Sequence, residues 1–270
     1  MDHDFCLREI LPGWKREAMR LCPAWILLFA VGLGCLASSS FAQEPAAPIG
    51  TGLQLDRNDI LIFSGVAGDQ ASRDQDGLIA GDLLARLPVV EGRRIHLLTE
   101  GRVPIPGGLQ VERGEPTLAG LKNAATAVAG RGLTAFVWGH GGLLGGQPVL
   151  HVRGPRVGVP DLIAVANAAN PGSAWVLAFC GSGRFGVALM GKDRRVLTSD
   201  GETVYGSDPV LMRFVADALE EGGTGFDGFV ARVGNRVLGW YEERSLVVQE
   251  QPWFGSGEGS GGEWRPVGKK

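Results

Sequence analysis

Residues 133–142 read Leu-Thr-Ala-Phe-Val-Trp-Gly-His-Gly-Gly, and residues 174–183 read Ala-Trp-Val-Leu-Ala-Phe-Cys-Gly-Ser-Gly. Each is a short apolar run cut off by a polar residue between glycines, the pattern of a strand buried on both faces. Residues 160–169, between them, carry a helical period, and the same alternation extends outward in both directions. Upstream, 59–64 is a β-branched run closed by Gly65, and Leu78, Ile79, Asp82, Leu83, Leu84 and Leu87 form a helix-like stripe stopped by Pro88. A second strand follows at 94–99. Pro116 opens a helix with Leu118, Leu121, Ala125 and Val128 on one face, and Gly130-Arg131-Gly132 ends it. Downstream, 195–198 reads as a fifth strand and 209–221 as a long helix. Such a series predicts an α/β fold with a mostly parallel sheet and helices on both faces. Ligands of such sheets bind beyond the carboxyl ends of the strands, where His140 and Cys180 both fall.

Composition narrows the possibilities. In 270 residues, 44% apolar and 20% charged side chains support one core of ordinary size or two small ones. The 43 glycines far exceed the ordinary share of about 7%. They follow no three-residue repeat, so they indicate a loop-rich domain rather than collagen. With 26 basic and 29 acidic side chains, the net charge of −3 leaves no basic stripe for nucleic acid, which is excluded as a partner.

Residues 1–42 carry the marks of a cleaved signal peptide. Arg16 and Arg20 precede the apolar run 21–36, which gives way to Ala37-Ser38-Ser39-Ser40-Phe41-Ala42, placing cleavage before Gln43. The run is broken by Pro23, Gly32 and Gly34 and is short for a membrane span. The mature chain is therefore expected to be exported, periplasmic or secreted, without a membrane span. Met19 is an alternative start, and a lipoprotein anchored through Cys35 is the rival reading, with Gly32 standing where an aliphatic residue is expected. Residues 43–58 read as a linker, and the Gly- and Ser-rich tail 253–270 as flexible.

Cys6, Cys22 and Cys35 lie in the removed segment, so Cys180 is the sole mature thiol and no internal disulfide is possible. Such a thiol is a buried small hydrophobe, an intermolecular partner or a reactive group. His96, His140 and His151 all precede it, so any Cys-His pair runs in the order His then Cys. That order excludes the α/β-hydrolase design, whose histidine follows the nucleophile, and the papain design, whose cysteine comes early.

Strand, His140-Gly141, strand, Cys180-Gly-Ser-Gly183 resembles the caspase-like cysteine peptidases, the group of caspases, metacaspases and legumain. Residues 59–87 resemble the first strand, loop and helix of the legumain family. Arg73 stands eight residues beyond Gly65, where that family carries a pocket arginine, and Gln75 follows. Residues 195–199 resemble the fifth strand, and Gln251-Pro252 the close of many members. The resemblance runs over 59–252 and is specific at His140 and Cys180.

The resemblance implies a caspase-like three-layer sandwich and acyl transfer on a peptide or protein substrate; no cofactor and no metal are expected. Cys180 would be the nucleophile and His140 the proton carrier, with the backbone N–H groups of Gly141 and Cys180 as oxyanion donors. Arg73 would line the pocket for the residue before the scissile bond (P1), favouring an acidic or amide side chain. Two departures stand against the pattern. Ala178 occupies the substrate-reading position that usually holds Glu, Asp or Gln, and Ala71 replaces a legumain asparagine. Gly142, Gly145 and Gly146 read as ordinary turn glycines, and Asp69, Asp74 and Asp76 as an acidic loop without calcium-loop spacing. The expectation is an exported cysteine endopeptidase, transpeptidation being a variant; the alternative is a catalytically inactive caspase-like peptide-binding module.

Overall fold

Ile60 and Ile62 of strand β1 (Asp59–Ser64) pack into one apolar cluster, while Leu61 and Phe63 pack into another. The period-two alternation of a strand thus separates two cores, one on each face of the sheet. The computed structural model describes residues 53–191, 193–201, 210–221, 225–256 and 263–268. The signal-peptide reading and Cys6, Cys22 and Cys35 lie outside the described residues.

Parallel to β1 run β2 (Ile95–Leu98) and β3 (Val111–Gly114) on one side, and β4 (Leu133–Trp138), β8 (Ala174–Ala178) and β9 (Arg195–Thr198) on the other. Two antiparallel strands, β10 (Trp253–Ser256) and β11 (Arg265–Pro266), complete an eight-stranded sheet in the order β11-β10-β9-β8-β4-β1-β2-β3. A separate small antiparallel sheet follows β4, made of β5 (Gly141–Leu144), β6 (Gln147–Leu150) and β7 (Val157–Gly158).

Helices α1 (Gln70–Arg86), α5 (Met212–Glu220) and α6 (Gly225–Glu243) supply Leu83, Val215 and Val233 to the Ile60 core. Helices α2 (Leu118–Ala127), α3 (Val159–Ala168) and α4 (Ser182–Leu189) supply Leu121, Val165 and Phe185 to the Leu61 core. The α/β fold with a mostly parallel sheet and helices on both faces therefore stands. Among the described residues, no helix is long and apolar enough to cross a membrane.

Three expectations change. The expected flexible tail holds β10 and β11: Trp253 and Trp264 stack with ring centroids 6.1 Å apart, and Gln251 Nε2 donates to the Val267 carbonyl at 2.6 Å. These aromatic anchors outweigh the glycine-rich composition around them. The expected linker ends inside the fold, since Leu53 is fully buried and Asn58 donates to Thr134 Oγ1 at 3.1 Å. Helix α1 begins well before the apolar stripe, because Asp69 caps it by accepting from the Ser72 N–H at 2.8 Å. The expected acidic loop is thus a helix start, with Asp74 accepting from Gln70 Nε2 and Asp76 from Trp138 Nε1, both at 2.7 Å.

Candidate active site

Strands β4 and β8 are neighbours in register, with Trp138 opposite Ala178. His140 and Cys180 each follow two residues later, so the sheet brings both candidate residues to one edge. The backbone crowds there: Gly139 N–H donates to the Ala178 carbonyl at 3.2 Å and Gly65 N–H to the Trp138 carbonyl at 2.7 Å. Gly139 has φ +137°, and a Cβ on it would come within 2.9 Å of Gly65 Cα.

Gly141 opens the small sheet against the Cys180 peptide. A Cβ at 141 would lie 2.0 Å from the Cys180 carbonyl oxygen and 2.9 Å from its nitrogen. Only a residue without a side chain fits this approach. The hairpin bond at this point runs from His151 N–H to the His140 carbonyl, 2.9 Å. His140 is exposed, whereas Cys180 is 6% exposed.

A cleft of about 270 Å³ lies at this edge, lined by His140 and Ala178 together with Gln75, Asp76, Trp138 and Arg213. Arg73 is not in this lining. Its Nε and Nη2 donate instead to Gln70 Oε1 at 3.2 and 3.1 Å, one turn back on α1. The arginine of the cleft is Arg213, from the first turn of α5. A larger groove, about 350 Å³, lies between α2 and the β2–β3 edge. Cys180 is in neither lining; the strand-end cleft has the exposed His140, whereas the buried His96 of the larger groove is occupied at Nδ1 by Glu112 at 3.2 Å, so the strand-end cleft is the candidate site.

Three residues to which the sequence assigned no role join the site. His151 faces Gly142, whose Cβ would fall 2.7 Å from its Nε2, and burial, with Arg156 and His140, holds its imidazole below the usual range. Gly142 is therefore a close-approach glycine, while Gly145 and Gly146, at φ +58° and +77°, are turn residues. Asp200, just beyond β9, accepts from the Gly181 and Gly183 N–H groups. Glu250 accepts from the Val210 and Leu211 N–H groups that lead into α5. No family model matches the chain, and no curated protein matches it.

Proposed function

We propose that the chain is an exported cysteine endopeptidase of caspase-like type, cleaving peptide bonds through His140 and Cys180. The observation that supports it best is the convergence of His140, Cys180 and Gly141 at the carboxyl edge of adjacent parallel strands, with the Gly141 backbone pressed on the Cys180 peptide. In this reading the Cys180 thiolate attacks the scissile carbonyl to form a tetrahedral oxyanion. The N–H groups of Gly141 and Cys180 stabilise that oxyanion. His140 protonates the leaving amine, and water then hydrolyses the thioester. Arg213, rather than Arg73, presents the guanidinium to the cleft and favours an acidic or amide P1 side chain, with Ala178 leaving room beside it.

The second reading, a peptide-binding module without turnover, draws on the near-burial of Cys180 at 6% exposed. Incubation of the protein with a diverse peptide mixture separates the two. Cleavage sites read by mass spectrometry should be present for wild type and absent for Cys180→Ala and His140→Ala. The P1 preference should be lost in Arg213→Ala and kept in Arg73→Ala. Peptides retained but uncut by wild type would establish the binding module instead.

A further inference from the structure

Asp200 is fully buried and lies two residues beyond Thr198, the end of β9. Its two oxygens serve different donors. Oδ2 accepts from Gly181 N–H at 3.1 Å, while Oδ1 accepts from Gly183 N–H at 3.0 Å and from Ser182 Oγ at 3.5 Å. These donors belong to the three residues that follow Cys180 and begin α4. Ser182 Oγ also meets Ser199 Oγ at 3.1 Å, tying the same turn to β9. The backbones are in direct contact, since a Cβ on Gly183 would fall 0.9 Å from the Gly201 carbonyl oxygen.

A helix N-terminus ordinarily favours a nearby thiolate, because its unpaired N–H groups and dipole are positive. Here the Gly181 and Gly183 N–H groups point at a carboxylate, and the Ser182 N–H between them donates to the Phe179 carbonyl. A carboxylate accepts both at once, one on each oxygen, whereas an amide at 200 would set its NH2 against one of them.

We propose that Asp200 is the positioning residue for Cys180: its ionised carboxylate locks the turn that carries the thiol and withholds the α4 N-terminus from the sulfur. The role assigned to Asp200 rests on Cys180 being the reactive thiol. In this arrangement the Gly181 N–H is removed from the oxyanion donors, leaving that task to Gly141 and Cys180. Among the described residues, Asp200 acts on Glu250 before β10, on which Arg213 of α5 also acts, and the turn it accepts from directly follows Cys180. Burial pushes Asp200 up to about 7 against the lowering effect of its three hydrogen bonds. The ionised form that the lock requires is therefore populated as pH rises through about 7.

The test is the rate of iodoacetamide alkylation at Cys180 between about pH 5 and pH 9, read by mass on the Cys180-containing peptide of the full chain. It is run beside kcat and KM on a peptide found in the mixture screen. In Asp200→Asn the alkylation midpoint should fall by about one unit, giving roughly tenfold faster labelling near pH 6. In the same variant kcat should fall about a hundredfold with KM little changed. Asp200→Glu should return the midpoint toward wild type. A folded Asp200→Asn whose midpoint is unmoved overturns the proposal, because loss of packing alone lowers kcat without moving it. If Asp200→Asn does not fold, Ser182→Ala serves. Removing the Ser182 hydroxyl takes away one of the hydrogen bonds that lower Asp200, so the Asp200 step in the alkylation profile should move up; a profile that superposes on wild type refutes the assignment. Alkylation that behaves as expected while no peptide is cut sinks the peptidase reading and upholds Asp200.

Discussion

Gly141 shows how tightly the chemistry depends on one missing side chain. Its Cβ would meet the Cys180 oxygen, carbon and nitrogen at 2.0, 2.8 and 2.9 Å, and none of these atoms can retreat without moving the candidate nucleophile. Gly141→Ala should therefore cut kcat/KM by about a hundredfold, the scale of losing one oxyanion donor. The position opens a peripheral hairpin, so the melting temperature should change by only a few degrees; parallel thermal melts and peptide cleavage assays check both. His140, Gly141 and Cys180 were legible because each stands where a glycine-rich turn ends an apolar run. Arg213, Asp200 and Glu250 were not. Each is a single polar residue without local pattern, and what brings it to the cleft or its support is the order of strands, a long-range fact that no window of sequence contains. Arg73 illustrates the converse, since its spacing from Gly65 is suggestive but the first turn of α1 binds it to Gln70.

Among the elements, β1, β4 and β9 span the residues read from the sequence, because strands buried on both faces carry continuous hydrophobic stretches at their centres. Strand β3, Val111-Glu-Arg-Gly114, is a largely exposed edge and has no such run. Helix α6 was hidden by its glycines, although Phe226, Phe229, Val230, Val233, Val237 and Tyr241 mark one buried stripe at helical spacing. Strand β10 was hidden by composition. Its partners are specific: a Cβ at Gly255 would meet Met190 Sδ at 2.1 Å, and one at Gly186 would meet the Trp264 ring at 2.4 Å. Truncation after Pro252 removes Trp253, Phe254 and Trp264 and bares the edge of β9. Loss of a packed Trp or Phe costs about 3–5 kcal/mol, against a total stability of roughly 5–15 kcal/mol. The truncated chain should show no cooperative melt by circular dichroism, and a native-like transition would refute the structural role of β10.

At the scale of the whole molecule, two buried carboxyl groups make stability depend on pH in an unusual sense. Burial raises Asp200 to about 7 and Glu250 to about 8, and the Asp200 charge adds to the rise of Glu250. Between the ordinary carboxyl range near pH 4 and these values, the folded chain holds more protons than the unfolded one. Their contribution to stability is thus full at low pH and lost as pH rises through about 7 to 8. Thermal melts should shift down by several degrees from pH 5 to pH 8.5, and Glu250→Gln should flatten that slope; a melting temperature that climbs over this range would contradict it. The position of β10 has a further consequence, which concerns time. Ribosomes deliver a chain from its N-terminus, and His140 and Cys180 emerge well before residues 250–256. Yet Glu250 and Trp253, which back Asp200 and Gly201, are made about seventy residues after Cys180. A nascent chain therefore carries its thiol in an unfinished turn until that later segment has emerged.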